Sequence, residues 1–305
     1  MPADRPIGEN RSTTGRLANA PRGEVMIATC AVLVVLGGFQ GPEADGRRSV
    51  LPGGATVIFP GDLPESGPID LVIHLHGSAD AVARALDVSG WPAVAIAVNE
   101  PGLSSAYERP FSDPDRFPAL LEGARAVIAG RVPGADLDRG RLIVSSFSAG
   151  FGGVRALLAQ PRAAEQIDAI VLADSLYCGY EGDPADRRLD PGKMSGFRRF
   201  ASEAAAGRKA MLVSHCALIP DGYGSTAETA DDLVRHVGGA FEPASEDLGG
   251  GWLLSRRSDR GSLRVLGFEG AGGDDHLQHL RRLGDLWRDL PRLPAGGVAG
   301  RGENR

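Results

Sequence analysis

The most informative segment for the fold is LIVSSFSAGFGGVRALL, residues 142–158, in which an apolar run leads through a turn of small residues into a segment of helical period. Ser148 lies at the centre of this turn, between Ser146 and Gly150. A tight strand-to-helix turn needs small residues two positions before and two positions after its central residue. The pattern therefore predicts that the Ser148 hydroxyl is exposed at the end of a strand.

On both sides of this stretch, from about residue 50 onward, short apolar runs alternate with longer segments of helical period. This pattern is typical of βα units, and it predicts an α/β fold with a mostly parallel central sheet and helices on both faces. Runs such as LVIHL from Leu71 and AIVLA from Ala169 are apolar almost throughout, as expected for strands that are covered on both faces. The predicted strands are Ala55 to Phe59, Asp70 to Leu75, Ala93 to Val98, Arg141 to Ser145, Ala169 to Ala173, Ala210 to Ser214 and Ser262 to Phe268.

The intervening segments predict five helices and two long connections. The fourth helix starts with a capping box, Ser225-Thr226-Ala227-Glu228. The glycine-flanked residues 249–261 predict a hairpin arm that leads into the last strand. The connections 99–116 and 175–194 should leave the carboxyl edge of the sheet, where open α/β sheets bind ligands. The helices are predicted at Phe117 to Ala129, Gly150 to Leu158, Ser195 to Ala205, Thr226 to Val237 and His276 to Leu290.

The composition is that of a soluble globular protein: 305 residues, a formal net charge of −6, 42% hydrophobic and 24% charged residues. Basic residues are mixed with acidic ones along the chain and form no patch, so nucleic acid is not an expected partner. The composition predicts one α/β domain over residues 42–291 and a flexible tail over residues 292–305.

The first 41 residues differ in composition from the rest of the chain. A polar leader precedes the uncharged run MIATCAVLVVLGGF at 26–39. The run is shorter than the roughly 20 residues that span a bilayer, so no stable membrane span is expected, but its length suits the apolar part of a signal peptide. The expected location is therefore secreted or periplasmic. If the run is instead a buried strand or helix, the protein is cytoplasmic.

The three cysteines fit an exported chain. Cys30 would leave with a signal peptide, and Cys178 and Cys216 would remain. In an oxidising compartment such a pair can form a disulfide. Two buried free thiols are the alternative.

A serine hydroxyl becomes a nucleophile only with a base and an acid that orients the base. His276 lies in the glycine-rich stretch GAGGDDHLQHL, residues 270–280, where the last predicted strand joins the last helix. It is the predicted base, because a loop residue just before the helix can reach the turn of Ser148. His279, three positions later, is the alternative base.

Asp174 is the predicted acid, because it follows the strand AIVLA and so reaches the same edge of the sheet as Ser148. Asp221 is the rival, farther beyond its own strand. An oxyanion hole also needs two backbone donors. The amide of Ala149 should be one, and the second should come from Gly77 or Ser78, where a His-Gly pair lets the chain bend towards Ser148.

His74 and His76 are spaced to share one face of a strand, as two metal ligands would be, but no third ligand accompanies them in the sequence. A buried histidine with a hydrogen-bonded ring is therefore the expected role of His74.

These residues together resemble an α/β-hydrolase of the serine esterase type over residues 50–291. The family order of nucleophile, acid and histidine is kept in Ser148, Asp174 and His276. Two features depart from the family: Ser146 replaces the usual first glycine of the turn, and the acid comes one strand earlier than in most members. The resemblance implies ester or related acyl hydrolysis, without an organic cofactor or a metal.

The connection after Ala173 indicates a short loop cap and leaves no room for a long apolar lid. This favours a small-molecule or carbohydrate ester over a triglyceride as the expected substrate. The tyrosines and arginines of residues 175–208 could frame a polar substrate or form a solvated loop; they are Tyr177, Tyr180, Arg187, Arg188, Arg198 and Arg199. A peptidase or thioesterase would use the same triad, and a non-catalytic binding protein on this fold would usually have lost one member of it.

Overall fold

The computed structural model describes residues 46–291. The leader with its apolar run at 26–39 and the tail at 292–305 lie outside the described residues, and so do the predictions made for them. None of the helices between residues 46 and 291 has both the length and the apolar character that crossing a membrane requires.

Twelve strands and nine helices make up the described part of the chain. The strands are β1 Arg48–Val50, β2 Thr56–Ile58, β3 Ser66–Pro68, β4 Leu71–Leu75, β5 Val94–Val98, β6 Gly134–Asp136, β7 Leu142–Phe147, β8 Ala169–Ala173, β9 Ala210–His215, β10 Glu242–Asp247, β11 Leu253–Arg260 and β12 Leu263–Phe268. The helices are α1 Ala79–Ser89, α2 Ser104–Ser112, α3 Arg116–Arg131, α4 Phe151–Leu158, α5 Pro161–Gln166, α6 Pro191–Ala205, α7 Thr226–His236, α8 Gly273–Arg281 and α9 Leu283–Arg288.

Ten of the strands form one sheet in the order β1-β2-β5-β4-β7-β8-β9-β12-β11-β10. The six strands from β5 to β12 in this order are parallel, and the two at each edge are antiparallel. Strands β3 and β6 form a separate parallel pair. A mostly parallel sheet is thus confirmed, and with the Ser148 turn after the central strand β7 it is an α/β-hydrolase fold.

The sheet is covered on both faces by helices. On one face, α2, α3, α4, α6 and α7 pack their apolar side chains against alternate residues of the central strands. On the other, α1, α8 and α9 cover the remaining residues together with Trp252. The central strands are therefore buried on both faces, which explains why their sequences are apolar without alternation.

The predicted strands coincide with observed ones, but the helices differ in four places. Helix α5 was not predicted. Helix α1 was not predicted, although Ser78 caps it through the backbone N–H of Ala81 at 3.2 Å. Helix α2 lies within the connection predicted as a loop. The predicted last helix is two helices, α8 and α9, separated at Arg282.

The start of α8 corrects the predicted setting of His276. The Asp275 carboxylate accepts the backbone N–H of Gly272 at 2.8 Å and so caps a helix that begins at Gly273. His276 consequently lies in the first turn of α8, not in the loop before it. The capping box at the start of α7 is confirmed, with Ser225 and Glu228 each accepting the other's backbone N–H.

Candidate active site

The turn that carries Ser148 follows the central strand β7 directly. Ser148 has a φ of +45°, in the left-handed region that non-glycine residues rarely adopt, and α4 starts at Phe151. A Cβ on Gly150 would lie 2.3 Å from the carbonyl oxygen of Leu75, at the end of β4. Only glycine permits this approach, so the turn of Ser148 lies directly against the end of β4.

Asp174 lies immediately after β8, fully buried and also in the left-handed region, with a φ of +41°. Its Oδ1 accepts the backbone N–H of Cys216 at 3.1 Å and the hydroxyl of Thr226. Its Oδ2 accepts the Cys216 thiol at 2.8 Å and lies 2.6 Å from Nδ1 of His276. Burial by itself raises the pKa of Asp174, but the neighbouring His279, His276 and Cys216 outweigh burial and hold this pKa well below its usual range.

His276 extends from α8 to this carboxylate and is nearly buried. Its ring stacks on Phe147, the residue before Ser148, with 4.6 Å between ring centroids. Because Nδ1 faces Asp174, Nε2 is the nitrogen left to exchange a proton with a substrate or a nucleophile. Within residues 46–291, Ser148 Oγ and His276 are not hydrogen-bonded to each other. Such contacts are often long before substrate binds.

The strand register explains why residues so distant in sequence meet at one edge of the sheet. Phe147 of β7 pairs with Ala173 of β8, and Ala173 pairs with Ser214 of β9. The chain therefore leaves these neighbouring strands at nearly the same level. Asp174 is fixed there, since its N–H donates to the carbonyl of Ser214 at 2.9 Å.

The two alternatives of the sequence analysis lie elsewhere. Asp221 is exposed in the segment after β9, and within the described chain it has no hydrogen bond to a histidine. His279 is fully buried, with Nδ1 2.8 Å from Ser214 Oγ, and its ring meets the edge of Trp252. Burial, reinforced by His276 and His215, lowers the pKa of His279 to about 4 despite the nearby Asp174. His279 is thus a neutral core histidine.

The two backbone amides predicted for an oxyanion hole belong to segments that adjoin at the Ser148 turn. Gly77 follows β4 by two residues, and Ala149 follows Ser148. Among the turn and loop hydrogen bonds of residues 46–291, none is donated by the N–H of Gly77 or of Ala149. Since Gly150 lies against Leu75, these two amides belong to adjoining segments and could both stabilise a developing negative charge.

His76 fixes the segment before Gly77, a role that the sequence did not indicate. Its φ is +71°, its N–H donates to the carbonyl of Val98 at 3.0 Å, and its Nδ1 lies 2.8 Å from the hydroxyl of Tyr107. Tyr107 is fully buried in α2 and also bonds the backbone of Glu100. Burial, with a smaller contribution from His276, lowers the pKa of His76 to about 4, so this ring is neutral near pH 7.

The residues that could hold a metal each make at least one hydrogen bond, although among the described residues Nε2 of His74 and Nε2 of His279 are buried without a partner. His74 is fully buried with Nδ1 2.9 Å from Ser145 Oγ, and burial lowers its pKa to about 3. In the described chain, the ligand atoms of Asp174, Cys216 and His279 lie within 4.8 Å of one another. All three are buried, and the Cys216 thiol donates to Asp174. Cys216 supports the carboxylate through hydrogen bonds from its N–H and its thiol, whereas His279 bonds to Ser214.

Both remaining cysteines are free thiols with separate partners. Cys178 donates from Sγ to the carbonyl of Asp190 at 3.7 Å, and Cys216 donates to Asp174. The disulfide considered from the sequence is therefore not formed.

Three of the four arginines predicted to frame a polar substrate or form a solvated loop pair with acidic side chains: Arg187, Arg188 and Arg198. Arg199 donates to the carbonyl of Leu158. Arg198 makes two hydrogen bonds to Asp232, at 2.7 and 2.8 Å. Arg187 bonds to Glu228 at 2.9 Å. These pairs favour the solvated-loop interpretation over a frame for a charged substrate.

No protein-family model and no curated protein matches this chain. Solved structures do resemble it. An acetyl xylan esterase from Aspergillus awamori is 13% identical over 74% of this chain and 93% of its own, with a TM-score of 0.40. EstE1, a carboxylesterase from a metagenomic library, is 15% identical over 81% and 89%, with a TM-score of 0.43. A thermophilic esterase from Thermogutta terrifontis is 15% identical over 86% and 98%, with a TM-score of 0.45. At these values the likeness carries no argument about activity, which depends on the geometry above.

Proposed function

We propose that this chain is a serine ester hydrolase in which Ser148 is the nucleophile, His276 the general base and Asp174 the acid that orients the base. The observation that carries the proposal is the 2.6 Å separation between Nδ1 of His276 and Oδ2 of a fully buried Asp174, beside the left-handed turn of Ser148. A buried carboxylate on one imidazole nitrogen fixes the tautomer in which the other nitrogen accepts a proton.

In the first half of the reaction, Ser148 Oγ attacks the ester carbonyl carbon while Nε2 of His276 takes the hydroxyl proton. The carbonyl oxygen becomes an oxyanion, to which the amides of Ala149 and Gly77 donate hydrogen bonds. Asp174 stabilises the imidazolium. As the tetrahedral intermediate collapses, His276 gives its proton to the leaving alcohol, and the acyl group remains on Ser148.

In the second half of the reaction, water is the nucleophile and Ser148 is the leaving group. His276 deprotonates the water, which attacks the acyl-enzyme, and the same two amides stabilise the second oxyanion. The acid product then leaves, and Ser148 regains its proton from His276. No step uses a group from outside the chain other than the ester and water.

We further propose a small-molecule or carbohydrate ester as the substrate and an exported, secreted or periplasmic protein. Between β8 and β9, α6 packs into the core through Phe197 and Phe200, so only the short segment 176–190 of this connection is available to form a cap. Such a short cap offers little apolar surface for a long acyl chain. The apolar run at 26–39 supports export.

The test is steady-state hydrolysis of a panel of acetyl, butyryl and long-chain esters and of an acetylated sugar, by the wild type and by Ser148→Ala. We expect turnover of the short-chain and sugar esters, which the variant loses by at least about a thousandfold. Equal turnover by the variant would contradict the assignment of Ser148. A preference for long acyl chains would contradict the substrate class alone.

A further inference from the structure

Three serine residues form a hydrogen-bonded chain beneath the nucleophile turn. Ser146 Oγ lies 2.8 Å from Ser175 Oγ, and Ser175 Oγ donates to the backbone carbonyl of Ser148, also at 2.8 Å. Ser146 is the second-last residue of the central strand β7, and Ser175 directly follows Asp174. These hydrogen bonds therefore link the turn that carries the proposed nucleophile to the turn that carries the proposed acid.

The direction of these hydrogen bonds follows from the number of protons. A serine hydroxyl donates only once, and the proton of Ser175 is used on the carbonyl of Ser148. The proton between the two hydroxyls must then come from Ser146. The carbonyl of Ser148 also accepts the backbone N–H of Phe151, the first residue of α4, so both of its lone pairs are used.

Because both hydroxyls are buried, the loss of either one should be energetically costly. Ser146 is fully buried and Ser175 is 1% exposed. Water cannot replace either hydroxyl there, so the loss of Ser175 would leave the Ser146 hydroxyl without its acceptor and the Ser148 carbonyl one hydrogen bond short. Both linked turns are in the left-handed region, with φ of +45° at Ser148 and +41° at Asp174. Such conformations persist only where the surroundings hold them in place.

The same contacts account for the departure from the family pattern at Ser146. A glycine at this position would satisfy the need for a small residue but would have no hydroxyl to donate. The serine supplies a donor that orients the Ser175 hydroxyl towards the turn. Ser146 thus has a specific partner and does more than fill the place of a glycine.

We infer that Ser175 is a positioning residue for the proposed ester hydrolysis and that Ser146 acts through it. Ser175 does not touch the ester. It holds the backbone of Ser148, and so the direction of the nucleophilic hydroxyl, relative to Asp174 and the histidine bonded to it. The inference rests on the proposed function, since it assigns the hydroxyl chain a role in that reaction.

The experiment measures kcat and KM for p-nitrophenyl acetate, the rate of labelling by a fluorophosphonate, and Tm. The variants are Ser175→Ala, Ser175→Thr, Ser146→Gly and the double variant Ser146→Gly with Ser175→Ala. Ser145→Ala is the matched control, because it removes a buried hydroxyl one residue earlier on the same strand, where Oγ bonds to His74 and Trp287 instead.

We expect Ser175→Ala to lower kcat and the labelling rate by about tenfold with KM within about twofold of the wild type. Ser146→Gly should lower kcat by about threefold, and the double variant should be no slower than Ser175→Ala, since Ser146 acts only through Ser175. Ser175→Thr, which keeps the hydroxyl, should recover most of kcat. Ser145→Ala should lower Tm and leave kcat unchanged.

The inference is overturned if Ser175→Ala has a lower Tm but an unchanged kcat, because the hydrogen-bonded serines would then contribute to stability only. It is also overturned if the losses from the two single variants multiply in the double variant. Should Ser175→Ala fail to fold, an unchanged kcat in Ser146→Gly overturns it. A folded wild type that neither turns over ester nor is labelled instead contradicts the proposed function, and the inference falls with it.

Discussion

Nδ1 of His276 lies 2.6 Å from Oδ2 of Asp174, although 102 positions separate the two residues in the sequence. The same Oδ2 accepts the thiol of Cys216, while Oδ1 accepts the hydroxyl of Thr226 at the start of α7. With the backbone N–H of Cys216, which also donates to Oδ1, four donors fix a buried carboxylate in one orientation, and that carboxylate fixes the imidazole.

Asp174→Asn should lower kcat/KM for a short-chain ester by about a thousandfold or more, because an amide in place of the carboxylate favours the wrong tautomer of His276. Asp221→Asn is the matched control, since Asp221 was the rival acid in the sequence and lies exposed after β9. It should retain full activity. The reverse result, activity lost in Asp221→Asn and kept in Asp174→Asn, would exchange the two roles.

Gly150→Ala should prevent the Ser148 turn from forming, since the added Cβ would lie 2.3 Å from the carbonyl oxygen of Leu75. We expect a loss of at least about 2–3 kcal/mol in the free energy of unfolding, measured by urea denaturation, together with loss of activity. Gly130→Ala is the control. Gly130 lies in α3 with open space around it, so alanine there should stabilise the protein by up to about 1 kcal/mol. Similar stabilities for the two variants would contradict the close contact between the turn and β4.

The free energy of unfolding should fall as the pH is lowered below about 6.5. His74 and His279 are fully buried, and burial lowers their pKa values to about 3 and about 4. Between the unfolded value and these folded values, the unfolded chain binds protons that the folded chain excludes, so each residue contributes about 1.4 kcal/mol per pH unit near pH 5. Above pH 6.5 both states are neutral, and this effect vanishes.

Urea denaturation at several pH values measures this slope. His74→Leu removes one such titrating group, while His279 and His76, whose pKa values are both lowered to about 4, remain. The slope near pH 5 should therefore decrease by about 1.4 kcal/mol per pH unit whatever the variant's absolute stability. An unchanged slope would show that His74 is protonated in the folded protein. Asp174 acts at lower pH, because its depressed pKa stabilises the fold above the normal carboxyl range and loses this effect on acidification.

The thiols of Cys178 and Cys216 should resist a thiol reagent in the native protein and react after denaturation without prior reduction. Both are buried, and burial raises the pKa of each. Counting reactive thiols with a colorimetric disulfide reagent tests this. If both thiols appear only after reduction, a disulfide joins the two residues and the hydrogen bond from Cys216 to Asp174 is absent.

Much of the sheet could be predicted because its central strands are covered on both faces and are therefore apolar without interruption. The Ser148 turn could also be predicted, because its small residues lie at a fixed spacing between a strand and a helix. Helix α2 could not be predicted, because Tyr107 and Phe111 are its only buried residues and Pro110 lies inside it. Strand β10 is mostly exposed and lacks the apolar pattern of the others.

The contacts that complete the site depend on residues far apart in sequence, which single-sequence patterns do not reveal. The capping box predicted where α7 starts but not that Thr226 faces Asp174. The connection 99–116 indicated a functional loop, and nothing in it indicated that Tyr107 holds His76. The sequence showed only that Ser146 replaces the usual glycine of the turn. It did not indicate the hydrogen bond to Ser175, because Ser175 lies beyond the next strand.

Fluorophosphonate labelling of the folded wild type and of Ser148→Ala, with the modified peptide mapped by mass spectrometry, tests whether Ser148 is an activated nucleophile. Such a probe reacts with a serine hydroxyl that a neighbouring base activates. We expect one label per chain, on Ser148, and none on the variant. Labelling at another serine, or no labelling of a folded wild type, would contradict it.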